Sequence, residues 1–157
     1  MDQFKNNPNV AGIIWTGYNG QAQGTAMASV LFGDANPGGK LNATWYKSVN
    51  DLPPITDYNL RTGKGTNGRT YWYFNKDVSY EFGYGLSYTT FEYSNFKISK
   101  IAITPNDYIT VSVDVKNTGK VDGDEVVQVY LKTPDSPASL ERPVKRLKGF
   151  QRVTVTA

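Results

Sequence analysis

The sequence predicts an α+β chain: a strand–loop–helix unit of the kind that builds α/β domains, followed by a β-sandwich. Three observations predict it. A short continuous apolar run over residues 10–15 ends at Thr16-Gly17 and precedes apolar residues at helical spacing. Residues 34–70 then become rich in Gly, Pro, Asn and Thr. From Phe91 onward, apolar and polar residues alternate with period two, broken by turn signals.

The elements follow in order. The run Val10-Ala11-Gly12-Ile13-Ile14-Trp15 fits a strand buried on both faces, as in a parallel sheet. A glycine-rich loop, residues 17–24, leads to Ala22, Ala26, Met27, Val30 and Leu31, a helical pattern that stops at Gly33. Leu41-Asn42-Ala43-Thr44-Trp45-Tyr46 offers one short strand inside a long connector, and connectors of this length usually have a job. Asn42-Ala43-Thr44 is also a glycosylation sequon, relevant to a secreted eukaryotic protein. Between Tyr71 and Tyr93 rings crowd the chain, with Gly83 and Gly85 set among them in Phe82-Gly83-Tyr84-Gly85-Leu86-Ser87-Tyr88. Glycine permits close backbone approach and rings bury large areas, so this stretch predicts a packed seam between two units. Strands are expected over residues 109–115, 125–131 and 147–155, with a turn at Asn117-Thr118-Gly119.

Composition excludes several kinds of chemistry. The 157 residues contain no cysteine and no histidine. Disulfides, thiol catalysis, an imidazole base and a His-ligated zinc site are therefore impossible within the chain. No apolar run reaches the ~18 residues of a membrane span. Met1 begins no signal peptide, because Asp2 and Asn6-Asn7-Pro8 stand where charged and apolar regions belong. Net charge is +3, and five of the 17 basic residues lie between Arg142 and Arg152. Alternation places Arg146 and Lys148 on one strand side and Leu147 on the other, which reads as a solvated face rather than a nucleic-acid or membrane footprint.

Several segments, in one order along nearly the whole chain, resemble glycoside hydrolase family 3, the β-glucosidases and β-xylosidases. Val10-Ala11-Gly12-Ile13-Ile14-Trp15-Thr16-Gly17-Tyr18-Asn19-Gly20-Gln21 resembles its last core strand and following loop. Leu31-Phe32-Gly33-Asp34-Ala35-Asn36-Pro37-Gly38-Gly39-Lys40-Leu41 resembles the signature LFGD-x-NP-x-G-(K/R)-L. Asp51-Leu52-Pro53-Pro54, Gly68-Arg69-Thr70-Tyr71, the seam around Phe82 and Arg142-Pro143-Val144-Lys145-Arg146-Leu147-Lys148-Gly149-Phe150 match as well. The resemblance implies three parts: residues 1–46 as the tail of an α/β sandwich domain, residues 47–90 as a connector with its aromatic seam, and residues 91–157 as an incomplete fibronectin type III-like β-sandwich. Missing strands would leave open sheet edges, so self-association is expected. The family's enzymes are several times longer, and the last residues, Val153-Thr154-Val155-Thr156-Ala157, read as a strand without a closing turn. The chain is therefore expected to be a carboxy-terminal fragment.

The resemblance also implies a parent that hydrolyses β-linked plant-polysaccharide oligosaccharides with retention, through a covalent glycosyl-enzyme. Gly68-Arg69-Thr70-Tyr71-Trp72-Tyr73-Phe74 looks more like the β-xylosidase and α-arabinofuranosidase members, although the family pattern has a basic residue where Trp72 stands. None of the four glutamates and ten aspartates sits in the context of the family's nucleophile or acid/base. No catalytic residue is expected in this chain, and by itself it is expected to be inactive. The loop Gly17-Tyr18-Asn19-Gly20 has Asn19 where a dinucleotide fingerprint needs its second glycine, and no Walker lysine follows, so no cofactor is expected. Asp122-Gly123-Asp124-Glu125 lacks the spacing of a calcium loop and reads as a hairpin turn rather than a metal site. Tyr18, Tyr71 and Trp72 are the candidate sugar contacts; the competing reading makes these rings, with Trp15 and Tyr73, glue between the two units, with Tyr18 and Trp72 the best exceptions because polar or loop residues flank them. The expected ligand of the parent is an oligosaccharide or polysaccharide, with a secreted or periplasmic location for that parent. The alternative is a stand-alone carbohydrate-binding or adhesion module built on the sandwich.

Overall fold

Gly33 ends the first long element where the sequence places the stop. The computed structural model describes residues 2–63, 65–137 and 141–157. Its helices are α1 (Asp2–Lys5), α2 (Gln23–Phe32) and α3 (Thr70–Tyr73). Its strands are β1 (Trp45–Tyr46), β2 (Val78–Tyr80), β3 (Phe91–Ile98), β4 (Val111–Asn117), β5 (Gly123–Leu131) and β6 (Arg146–Val155). Gly33 takes φ 84°, and its N–H closes the last turn of α2 on the Val30 carbonyl. A ten-residue helix is marginal alone. The Tyr88 hydroxyl ties this one to the seam by donating to Val30 O at 2.7 Å.

The strand expected over residues 10–15 does not pair. These residues belong to no ladder, and Ile13, Ile14 and Trp15 lie exposed. A parallel strand needs neighbours on both sides, and none of the described strands lies beside it. Trp15 instead packs edge-on against Trp45, centroids 5.1 Å apart. The helix of the strand–loop–helix unit forms, but its Leu31 and Phe32 are also left exposed.

The best-buried part of the chain is the seam. Strand β1 pairs antiparallel with β2, matching Trp45 to Tyr80 and Tyr46 to Val78. Among the described residues, Tyr73 and Phe74 are the buried apolar ones, and Ser79 of β2 is only 2% exposed. Rings connect the rest: Tyr46 meets Phe74 at 4.6 Å, Trp45 meets Tyr80, Tyr80 meets Tyr84, and Tyr71 stacks on Phe82 at 4.2 Å. Edge-on and offset pairs of this kind stabilise beyond their area by ~0.5–1.5 kcal/mol each. The two glycines among them have a structural reason. Gly83 takes φ 82°, and a Cβ there would run into the Gln128 side chain; a Cβ on Gly85 would run into the Gly39 carbonyl.

Beyond the seam lie two antiparallel pairs, β3–β4 and β5–β6. Alternation sets the exposure of β4: Val111, Val113 and Val115 are half-buried, Ser112, Asp114 and Lys116 exposed. Asn95, at φ 52°, forms a bulge in β3 and donates its amide to Asp114 at 2.7 Å. In β6 the exposed Arg146 and Lys148 flank the half-buried Leu147, with a register shift opposite Val129 and Tyr130. The two pairs meet at Asn117. Its side-chain oxygen accepts from Thr89 Oγ1 at 2.6 Å and from the Gly119 N–H, while its amide donates to the Val121 and Val155 carbonyls. Asp122-Gly123-Asp124-Glu125 is not a hairpin turn. Gly123 already opens β5, and the chain passes here from one sheet to the other. Asp124 faces β6 instead, where Thr154 Oγ1 and Arg152 Nε donate to it.

The signature loop after α2 docks the first unit onto these sheets. Asn36 donates to the Asp122 carbonyl at 2.9 Å and accepts from Ser87 Oγ and the Tyr88 N–H. Lys40 pairs with Glu125 at 3.0 Å, with side chains only 14% and 13% exposed, and also donates to the Gly85 carbonyl. Tyr93 completes the cluster by donating to the other Glu125 oxygen at 2.8 Å. Burial, then the hydrogen bond to Glu125, pushes the Tyr93 phenol well above its ordinary range, so it remains a donor.

Candidate functional site

The turn Gly68-Arg69-Thr70 aims two of the candidate rings. Gly68 takes φ 74°, and a Cβ there would come within 2.7 Å of the Tyr73 carbonyl oxygen. The Arg69 N–H closes on Leu60 O at 2.7 Å, and its guanidinium donates to Pro54 O at 2.8 Å. Thr70 then takes φ 58°, an unusual angle for a β-branched residue. Its N–H donates to the Tyr46 hydroxyl at 2.8 Å, and its Oγ1 accepts from the Trp72 N–H at 3.3 Å.

Thr70 of this turn lines an open pocket of about 480 Å³. Its larger lining side chains are Tyr46, Leu60, Tyr71, Trp72 and Phe82. The polar part of the lining comes from Asn42, Thr44 and Thr70. Thr44 Oγ1 is buried with no protein partner. A buried hydroxyl without a partner is costly and calls for an explanation. Tyr46 uses its oxygen as an acceptor from Thr70, which leaves its own proton to donate elsewhere.

Tyr71 and Trp72 are also fixed from the β5–β6 side. The Tyr71 hydroxyl accepts from the Leu147 N–H at 3.4 Å, and its ring meets Tyr130 at 6.1 Å. The Arg146 guanidinium lies 5.0 Å from the Trp72 ring centre, and the Trp72 carbonyl accepts from the Val144 N–H. Both rings thus join the two units and line the pocket at once. Tyr18 is elsewhere: it follows Gly17 at φ 62°, is fully exposed and lines no part of the pocket. Sequence reading missed Thr44, Tyr46, Leu60 and Thr70. Of these, only the ring of Tyr46 beside Trp45 carried a local signal.

Six of the carboxylates are spread over the fold and engaged. Glu81 pairs with Lys145, Asp51 with Lys76, Asp77 with Lys47 and Asp124 with Arg152. Glu125 belongs to the Lys40–Tyr93 cluster, and Glu141 accepts from the Thr62 N–H and Oγ1 at 3.0 and 2.8 Å. Among the described residues, no group of three acidic side chains could hold a metal ion. A second, polar pocket of about 400 Å³ gathers Lys5, Lys47 and Lys76 near Asp77. There Lys5 Nζ donates to Ser79 O and sits 4.8 Å from the Tyr80 ring centre. Of the five cations between Arg142 and Arg152, Lys145, Arg146 and Arg152 are thus committed to Glu81, Trp72 and Asp124. No helix among the described residues is long and apolar enough to cross a membrane.

Comparison with known proteins places this geometry in a wider frame. Residues 125–157 match the family model of a fibronectin type III-like domain. A β-xylosidase of Formosa agariphila is 44% identical over 147 residues, covering 94% of this chain and 20% of its own length. A periplasmic β-glucosidase of Salmonella typhimurium is 41% identical, covering 96% of this chain and 20% of its own. The chain thus spans about a fifth of the length of these curated relatives. Among solved structures, a family 3 exo-β-xylosidase in complex with a xylobiose aziridine probe superposes with a TM-score of 0.79 at 35% identity, covering 98% of this chain and 22% of that one. The β-D-glucoside glucohydrolase of Trichoderma reesei gives 0.67 at 36% identity, over 87% of this chain and 22% of its own. Residues 1–88, which carry α2, the signature loop and the aromatic seam, match the glycosyl hydrolase family 3 C-terminal domain, and to that family the chain belongs.

Proposed function

We propose that the chain supplies the carboxy-terminal part of a retaining β-glycosidase of the β-xylosidase or β-glucosidase type, and contributes no catalytic carboxylate to it. One observation carries this reading: 94% of the chain aligns at 44% identity with a β-xylosidase, yet covers only 20% of that enzyme. Retaining hydrolysis needs two carboxyl groups about 5–5.5 Å apart across the scissile bond. Here Glu81, Glu125, Asp51, Asp77 and Asp124 are each neutralised by their own cation, in separate parts of the fold. The role left to the chain is to carry the sandwich on the α/β tail through the signature loop and the seam.

The substrate would be a β-linked oligosaccharide from plant polysaccharide, since xylosidases and glucosidases both appear among the relatives. A periplasmic or secreted parent agrees with the Salmonella relative's description. The division at residues 46 and 90 is part of the same proposal, as is a sugar contact by Tyr18, whose ring stands clear of the fold. The stand-alone binding module is the weaker reading, because the matches run through both units and into enzymes. Assay of the purified chain on aryl β-xyloside, α-arabinofuranoside and β-glucoside tests this. No turnover above buffer is expected. Turnover that survives repurification and disappears with a single Asp→Asn or Glu→Gln variant would refute it.

A further inference from the structure

We infer that Asn19, in the loop ahead of α2, is a site of spontaneous covalent modification: its carboxamide condenses with the Gly20 backbone nitrogen and then hydrolyses to aspartate and isoaspartate. The inference is independent of the glycosidase reading above. Asparagine is among the chemically labile residues. It is most so before glycine, whose nitrogen is uncrowded and whose backbone turns freely toward the side chain. The chain has two such pairs, Asn19-Gly20 and Asn67-Gly68. Sequence alone ranks them equally, and the fold separates them. Asn19 and Gly20 are both exposed. Among the described residues, no hydrogen bond holds the Asn19 side chain or the Gly20 N–H. A Cβ on Gly20 would meet nothing within 4 Å, so the loop has room to bring that nitrogen over the Asn19 carboxamide. Asn67-Gly68 is the opposite case. Gly68 is buried, and a Cβ there would come within 2.7 Å of the Tyr73 carbonyl oxygen. The Asn67 amide donates to the Asp51 carbonyl at 3.3 Å, and the Asn67 carbonyl accepts from the Asn75 N–H at 3.3 Å. Ring closure at Asn67 would have to break the Asp51 bond and move the packed glycine.

The chemistry consumes one water and releases one ammonia. The Gly20 nitrogen, having lost its proton to solvent base, forms a bond to Asn19 Cγ. The Cγ–Nδ2 bond breaks, and Nδ2 takes up a proton from water and leaves as ammonia. Water then opens the five-membered imide. Attack at Cγ restores the original backbone and leaves aspartate. Attack at the Asn19 backbone carbonyl routes the chain through the side chain, as isoaspartate. Either product puts a carboxylate beside Tyr18. The isoaspartyl form also adds one backbone carbon directly before the turn in which the Gln23 N–H closes on Gly20 O at 3.1 Å and α2 begins.

The test is incubation of the purified chain in mildly alkaline bicarbonate, with and without urea, followed by digestion and fragmentation mass spectrometry. Exchange of NH for O reports the reaction, and chromatographic separation of the two isomers reports its route. In the folded chain Asn19 is expected to convert about five-fold or more faster than Asn67, since a hydrogen bond must first break at Asn67. In urea the two rates are expected to converge. Aspartate and isoaspartate should both appear, as a cyclic imide requires. Gly20→Ala should slow conversion at Asn19 several-fold and leave the fold intact, because its Cβ has open space; should it unfold, the comparison with and without urea still decides. Four results would each overturn the inference: Asn19 unchanged in the folded chain while it converts in urea, Asn67 keeping pace with Asn19 before unfolding, aspartate as the sole product, or an unaltered rate in a folded Gly20→Ala chain.

Discussion

Thr70 holds a backbone angle that its own side chain resists. At φ 58° a β-branched residue is crowded, and positions of this kind cost on the order of 1–3 kcal/mol. Two hydrogen bonds, to Tyr46 and from Trp72, keep it there. Asparagine tolerates the left-handed region better and offers an oxygen at similar reach. Thr70→Asn is therefore expected to raise the unfolding free energy by about 0.5–1 kcal/mol, of the order of other conformational substitutions at suited sites. Urea denaturation checks it, and a loss of stability would show that the threonine methyl is packed too well to remove. The same scale shows what was legible in the sequence. Gly33, Gly83 and Gly85 announced themselves, because glycine is the residue that positive φ and close approach select. Thr70 gave no such sign, since threonine is among the last residues expected at that angle.

At the scale of elements, the signature loop joins the helical unit to the sheets. Lys40 and Glu125 are both largely withdrawn from water, so removing one leaves the other charged and unpaired. Breaking such a pair costs about 3 kcal/mol, more than an exposed pair is worth. Lys40→Met should lose about that much by chemical denaturation, and adding Glu125→Gln should recover part of it. Equal losses in the single and double variants would mean that packing, not charge, holds the junction. Strands β4, β5 and β6 were legible to within two residues, because their alternation is local. The segment at residues 10–15 was not, because its apolar run states only that both faces want cover, and the partners of such a strand lie elsewhere in sequence. The segment Asp122-Gly123-Asp124-Glu125 was misread as a hairpin turn for a related reason: turn residues say that the chain reverses, not which sheet receives it. The pocket was half legible. Tyr71 and Trp72 stood out as rings, but its other walls arrive from residues 42–46, 60 and 82, brought together by folding alone.

For the molecule as a whole, two paired strands per sheet leave every strand with one open edge among the described residues. A lone two-stranded pair is marginal in water. Phe32, Phe96, Ile101, Tyr108 and Phe150 are all more than half exposed, and Ile101 wholly so. Open edges beside apolar surface invite association, and the bulge at Asn95 blunts only one of them. The chain is accordingly expected to self-associate, with a sedimentation coefficient that climbs with concentration. A single species of 17.4 kDa at all concentrations would contradict this.

Asn117 has a consequence in time as well as in space. Its side chain is the joint between the sheets, and two of its four partners are remote in sequence: Thr89 is 28 residues away and Val155 is 38. Each closure spends loop entropy before the joint returns anything, whereas the β5–β6 ladder can zip from a single starting contact. The two ladders should therefore assemble early and independently. The amide that locks them together should be among the last groups to find its partners, and among the first to lose them when the chain unfolds.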